Sequence, residues 1–141
     1  MKRSASAMWN GDLKTGKGTL STDSGVLSNS QYSFSTRFED GKGTNPEELL
    51  AAAHAGCFSM ALSAQLGTMG LTPAEIRTSA AVSLEKVGDG FAITAVHLIV
   101  KAKVPGADAP QFATAANNAK AGCPVSKVLN ATITMDASLE Q

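Results

Sequence analysis

The chain has 141 residues, enough for a single domain over residues 1–141 that buries a core without disulfides or metal as its main support. Twelve basic and twelve acidic side chains cancel, and no Lys/Arg cluster makes the positive stripe that nucleic-acid binding uses, so nucleic acid is set aside as a partner. No apolar stretch follows Lys2 and Arg3 to make a secretory signal, which leaves a cytoplasmic location as the expectation.

The first forty residues alternate short β-like pieces with glycine turns: SASAMWNGD, KGTLSTDSG and QYSFSTRFED. In the third, Tyr32, Phe34 and Thr36 alternate with Ser33, Ser35 and Arg37 at the period of two that predicts a strand. The three pieces read as an antiparallel meander. Gly11, Gly16 and Lys17 almost spell a phosphate-binding loop. Gly18 stands where that motif needs Ser or Thr, and no helix follows, so both Gly-Lys-Gly-Thr copies, at 16–19 and 41–44, read as turns.

A helix start comes next. Asn45 suits the N-cap, Pro46 the first helical position, and Glu47 and Glu48 the positive end of the helix dipole. The helix is expected over about 46–67, closed by Gly67 or Gly70. Residues 49–66 carry no Asp, Glu, Lys or Arg, and this 18-residue run is long enough to invite a membrane reading. Its six alanines, two serines, glutamine and histidine make it only mildly apolar, so a membrane span is not expected. A helix apolar on all faces should be buried all round. One small domain can hardly wrap it, which points to a partner subunit.

TSAAVSLEKV, a GDG turn and FAITAVHLIVKAKV predict a β-hairpin whose second arm, apolar on both faces, is a central strand. Asp108 can cap a further helix through APQFATAANNAKA, ended by Gly122. Cys123-Pro124 opens a short helix to about Leu129, and ATITMDASL is a last strand. The order β-β-β-α-β-β-α-β is α+β, with mostly antiparallel strands packed on helices.

The two cysteines stand in similar settings, Ala55-Gly56-Cys57 and Ala121-Gly122-Cys123. In a reducing compartment such a pair is catalytic, redox-sensing or inert more often than a permanent disulfide. Cys123, directly before a proline-led helix, has its sulfur near unsatisfied backbone N–H groups that favour thiolate. Burial alone would make Cys57 unreactive, so a reactive Cys57 needs a nearby cation. Arg37, which Glu47 could orient by a bidentate contact, is the best candidate, while a solvated edge residue and a capping carboxylate remain the plain alternatives. Glu47 and Cys57 are ten residues apart, about 15 Å of helical rise, too far to share one small site on the same helix. Adjacent central helices in a symmetric dimer would bring Arg37 and Glu47 of one subunit toward Cys57 of the other. His54 shares a helix face with Cys57 and is either a base for its thiol or a packing histidine. With only His97 besides, a metal site lacks ligands.

MWNGDLKTGKGTLSTDSGVL, YSFSTRFEDGKGTNPEELLAAAHAGCFSMALS, VSLEKVGDGFAIT and AKAGCPVSKVL together resemble the OsmC/Ohr family of thiol-dependent peroxidases, in its OsmC branch, over nearly the whole chain. The resemblance implies an OsmC-like α+β fold: an intertwined homodimer with two long central helices enclosed by sheets from both chains. It implies Cys57 as the peroxidatic cysteine, Cys123 as the resolving cysteine, and Arg37 and Glu47 as the family's arginine and carboxylate. It further implies reduction of organic hydroperoxides through a Cys57 sulfenic acid and a Cys57–Cys123 disulfide, reduced in turn by an external dithiol, a lipoyl-type group on a protein. No metal, haem or flavin is implied. Phe34, Phe38 and Phe58 are either walls for the organic part of the peroxide or ordinary core aromatics. The alternative function is a non-enzymatic thiol redox sensor or ligand-binding dimer.

Overall fold

The structure, a computed structural model, describes residues 1–140. Its elements are β1 (Ala5–Asn10), β2 (Lys17–Thr22), β3 (Ser30–Tyr32), α1 (Phe34–Phe38), α2 (Pro46–Thr68), β4 (Glu75–Val87), β5 (Gly90–Lys103), α3 (Ala109–Gly122), α4 (Pro124–Val128) and β6 (Thr132–Glu140). They fall into two compact units, Met1–Leu49 and Leu50–Gln141.

In the first unit β1, β2 and β3 form the antiparallel meander. The Trp9 and Tyr32 rings meet with centroids 5.5 Å apart, and a Cβ on Gly18 would collide with both. The residue that broke the phosphate-loop pattern is therefore a glycine because two aromatic rings close over it. Residues 11–16 form the β1–β2 connection, held by the Gly16 N–H donating to the Asp12 carbonyl at 2.9 Å and the Thr15 N–H donating to Asp12 Oδ1 at 2.7 Å. The first Gly-Lys-Gly-Thr copy is a turn only at Gly16, since Lys17–Thr22 is β2. The second copy lies outside helix and strand, with Gly43 at φ +142°.

The strand expected through Arg37 stops at Tyr32. Ser33 Oγ accepts the Thr36 N–H at 3.3 Å and Thr36 Oγ1 accepts the Ser33 N–H at 2.8 Å, a reciprocal capping box that opens α1. Side chains that satisfy the backbone locally outcompete the period-two pattern, and Arg37 consequently sits in the last turn of a short helix. Asn45 then joins the two helices. Its Oδ1 accepts the Glu48 N–H at 2.8 Å, capping α2 as the sequence predicts, and its Nδ2 donates to the Thr36 carbonyl at 2.9 Å.

In the second unit β4, β5 and β6 form a sheet with β5 in the centre. β4 and β5 are the expected hairpin, and β6 runs parallel to β5. A parallel return needs a crossover, which α3 and α4 supply. Along β5 the buried residues are Val96, Leu98, Val100 and Ala102 at the period of two, while Ile99 on the opposite face is 45% exposed. Among the described residues of this unit one face of the central strand is fully buried and the other only partly, although its sequence is apolar on both faces.

Across that buried face runs α2, through His54, Phe58, Leu62 and Leu66, one row at i, i+4 spacing and all fully buried. Phe112, Ala115, Ala116 and Ala119 of α3 complete the core. Phe58 is thereby a core aromatic, whose burial is worth about 1.5–3 kcal/mol. α2 continues past Gly67 and stops at a Schellman motif: the Leu71 N–H reaches the Leu66 carbonyl and the Gly70 N–H the Gly67 carbonyl, both at 3.0 Å, with Gly70 at φ +75°. Within the described residues of this unit the other side of α2 is left open, and Met60 is 78% exposed. Among the described residues α2 is the one helix long and apolar enough, by length and composition alone, to cross a membrane.

Candidate active site

The four residues singled out in the sequence form two pairs, one in each unit. In the first unit Glu47, in the opening turn of α2, receives Arg37 of α1. Arg37 Nη2 donates to Glu47 Oε1 at 2.8 Å, and Nε lies 3.2 Å from both carboxylate oxygens. The Glu47 side chain is 10% exposed and that of Arg37 38%. The guanidinium is therefore oriented by a nearly buried carboxylate while part of it faces outward, and its Cζ lies 5.4 Å from the Phe38 ring centroid. Phe34 and Phe38 pack together with centroids 4.8 Å apart.

In the second unit, Cys57 Sγ and Cys123 Sγ are 2.8 Å apart. α2 presents Cys57 one position before the core residue Phe58, which leaves its side chain half-buried. Cys123 is fully buried at the corner between α3 and α4. Its N–H donates to the Ala119 carbonyl at 2.9 Å, closing α3, and its carbonyl accepts the Lys127 N–H at 3.1 Å, opening α4. Pro124 ends α3 and supplies the preset φ of the first position of α4, so the Cys-Pro pair makes the corner that aims the sulfur.

The two thiols are pushed in opposite directions. Burial raises the Cys57 pKa, the adjoining Cys123 sulfur raises it further, and the Val125 N–H only partly offsets this. Burial also opposes ionisation of Cys123, but it is outweighed there by hydrogen bonds from the Cys57 thiol, the Ser126 N–H and hydroxyl, and the Val125 N–H, so the net shift is downward. Of the two sulfurs Cys123 is therefore the one more readily ionised.

His54 is fully buried one turn before Cys57 on α2, and its Nε2 lies 2.7 Å from Ser126 Oγ. Burial pushes its pKa down, so the imidazole is neutral. Its burial in the core, with its hydrogen bond made to Ser126 and not to the Cys57 thiol, matches the packing alternative read from sequence. His97 is engaged elsewhere, by Thr134 Oγ1 at 2.6 Å and Asp136 Oδ2 at 3.1 Å. Among the described residues no three His, Cys, Asp or Glu side chains come together as a metal site would need. Val125 and Ser126 are the contributors that sequence reasoning missed. For Ser126 a signal existed in Cys123-Pro-Val-Ser126, where the i, i+3 spacing puts a hydroxyl beside the thiol once a helix opens at the proline.

Comparison with known proteins places the chain in a family. The family described as OsmC-like protein matches residues 39–138. The chain is 60% identical over 134 residues to Peroxiredoxin OsmC of Escherichia coli (strain K12), covering 95% of this chain and 94% of that one. It is 32% identical over 100 residues to the Organic hydroperoxide resistance protein of Xanthomonas axonopodis pv. citri (strain 306), covering 70% of this chain and 68% of that one. Among solved structures it superposes on the Organic Hydroperoxide Resistance Protein OhrB of Bacillus subtilis with a TM-score of 0.73 and 27% identity, over 96% of this chain and 98% of that chain. With a family match spanning most of its length and a relative 60% identical over 95% of it, the chain belongs to the OsmC-like protein family.

Proposed function

We propose that this chain is a thiol-dependent peroxidase that reduces organic hydroperoxides to alcohols, with Cys57 as the attacking sulfur and Cys123 as the resolving one. The observation that carries the reading is the pair of free thiols 2.8 Å apart, delivered by different helices. Relatives named a peroxiredoxin and organic hydroperoxide resistance proteins support the substrate class.

The Cys57 sulfur, relieved of its proton, attacks the terminal peroxide oxygen. A sulfur–oxygen bond forms, the O–O bond breaks, and the alkoxide leaves as alcohol with one proton. Cys123 then attacks the Cys57 sulfenic acid: a disulfide forms, the S–O bond breaks, and hydroxide leaves as water with the second proton. Two thiols have lost two electrons and the peroxide has gained them. An external dithiol, a lipoyl-type group on a partner protein, returns both electrons by thiol–disulfide exchange and becomes a disulfide itself. The chemistry calls for no metal, haem or flavin. We place it in the cytoplasm, where such dithiols stay reduced.

Because Cys57 is disfavoured as a thiolate within its own unit, its ionisation calls for a cation, and we assign that role to Arg37, oriented by Glu47. We further propose that the cation is supplied across a homodimer interface. Ala52, Gly56, Met60 and Ala64 form an exposed i, i+4 row on α2, an apolar face suited to a second copy of the helix. Arg37→Ala and Cys57→Ala chains, each inactive, are expected to regain partial activity when refolded together, and no recovery would refute shared sites.

The peroxidase reading is tested by adding organic hydroperoxide in many equivalents with a dithiol present. Sustained consumption is expected, and one equivalent followed by arrest would instead support a redox sensor. One equivalent given to the reduced protein should convert both thiols to an intramolecular disulfide. Two alkylatable thiols left after treatment would overturn the mechanism.

A further inference from the structure

Cys57 and Cys123 are the only cysteines in the chain, and both are free thiols of the second unit. Their sulfurs lie 2.8 Å apart, brought together across 66 residues of sequence. Neither is carried on a loose loop. Cys57 stands in the middle of α2, while the backbone of Cys123 closes α3 through its N–H and opens α4 through its carbonyl. Gly122 and Pro124, on either side of the buried Cys123, are exposed, and Cys57 is only half-buried, so the pair is held rigidly just beneath the surface.

Two soft sulfurs fixed at contact distance make a chelating pair, and what they can hold follows from donor count and bond angle. A structural zinc ion takes four ligands, and among the described residues no three His, Cys, Asp or Glu side chains come together. Ions that bind two thiolates in a straight line, such as mercury(II) or copper(I), need the sulfurs on opposite sides of the metal. Sulfurs already in contact do not offer that arrangement. A pyramidal centre suits them better. Trivalent arsenic carrying one organic substituent makes three bonds, one to carbon and two to adjacent sulfurs, and asks nothing further of the protein.

We propose that the reduced Cys57–Cys123 pair is a two-point binding site for trivalent arsenicals that carry one organic substituent. The hydrated arsenical, R–As(OH)₂, meets the more exposed thiol of Cys57 first. An As–S bond forms, an As–O bond breaks, and one water leaves with the thiol proton. Cys123 closes the ring in the same way and releases the second water. No electrons are transferred: arsenic stays trivalent, and both sulfurs stay at the thiol level of oxidation. Because closure needs both thiols free, the site exists in the reduced protein alone. The second bond is intramolecular, which makes the ring about a hundredfold or more tighter than an adduct through one sulfur. The inference rests on the geometry of the thiol pair and goes beyond the peroxidase reading.

The test is titration of reduced full-length protein with phenylarsine oxide, with free thiols counted by a chromogenic disulfide reagent and arsenic per chain read from the intact mass. One arsenic per chain and loss of both thiols are expected. 2,3-Dimercaptopropanol should release the adduct, whereas a monothiol at the same concentration should not. Cys57→Ser and Cys123→Ser, each with one sulfur left, should bind about a hundredfold more weakly or worse and yield their arsenic to the monothiol. An equal amount of zinc should leave uptake unchanged, and zinc that prevents it would reveal a fuller metal site and overturn the two-point reading. A wild-type chain that takes up no arsenic, takes up two, or holds one through a single sulfur would overturn the site while leaving the peroxidase reading intact. Failure of the peroxidase reading shows separately, as absence of hydroperoxide consumption by a protein that still closes the arsenical ring.

Discussion

Removing the resolving sulfur while keeping its size and polarity isolates what the thiol pair contributes. In Cys123→Ser the peroxide still meets Cys57, but the sulfenic acid has no sulfur beside it. In the wild-type protein the partner is held at 2.8 Å by the α3–α4 corner. Effective concentrations run from about millimolar for partners on short flexible tethers to about 10⁵ M for well-oriented groups. A fully buried cysteine whose backbone caps two helices belongs toward the upper end of that range. Against a millimolar external thiol, resolution in Cys123→Ser should therefore slow by at least about a thousandfold. The assay is steady-state loss of cumene hydroperoxide with a dithiol, alongside dimedone labelling of the sulfenic acid after one equivalent. The expected result is one fast turnover, a dimedone adduct on Cys57, and over-oxidation to sulfinic acid when peroxide is in excess. Turnover within about tenfold of wild type, with no adduct, would refute the argument that proximity of Cys123 drives resolution.

Three further outcomes follow from the geometry. Glu47→Gln removes the charge that meets Arg37 in three contacts of 2.8–3.2 Å, and is expected to cost about 1.5–3 kcal/mol of hydrogen bonding to charged groups and to lower kcat/KM by about tenfold or more, measured by urea unfolding and peroxidase kinetics. Ser33→Ala deletes one half of the capping box that holds α1, so a loss of about 1 kcal/mol is expected in the same unfolding assay, together with weaker activity because Arg37 is carried on that helix. For the thiols, the lowered Cys123 pKa gives stability that is present above the ordinary value of 9.0 and lost as pH falls through the folded one. The raised Cys57 pKa gives stability present below 9.0 and lost as pH rises through its folded value. Unfolding free energy of the reduced protein, relative to a Cys57→Ser/Cys123→Ser control, should accordingly pass through a maximum near pH 9, and a monotonic difference would contradict the assignment.

Much of the architecture could be read from local chemistry. Asn45-Pro46-Glu47 announced the start of α2, Asp108 capped α3 through the predicted position, Cys123-Pro124 opened α4, and the Gly88-Asp89 turn joined the hairpin. Each of these is a short-range signal in which one side chain or one fixed φ satisfies backbone groups a few residues away. The strand expected through Arg37 failed for a related reason. Alternation of apolar and polar residues was read over Tyr32–Arg37, but the Ser33–Thr36 exchange of hydrogen bonds is worth more to an isolated six-residue segment than strand pairing at a sheet edge.

By itself the sequence determined the α+β class and the starts of α2, α3 and α4, and it singled out Cys57, Cys123, Arg37 and Glu47, because capping, glycine turns and hydrophobic period act over a few residues and are written in residue order. It also marked Glu47 as the carboxylate able to orient Arg37, since Glu47 opens the helix that Arg37 shortly precedes. Only the tertiary structure decided that Cys57 and Cys123, 66 residues apart, stand sulfur to sulfur, and that Ser126 and His54 meet behind them. Those contacts depend on β6 returning parallel to β5, which sends the chain through the α3–α4 crossover and turns its corner against α2. The same packing decided which thiol ionises more readily. Both cysteines follow an Ala-Gly pair in the sequence, yet the pKa of one is lowered and that of the other raised, because charge on a buried sulfur is set by the groups that converge on it in space.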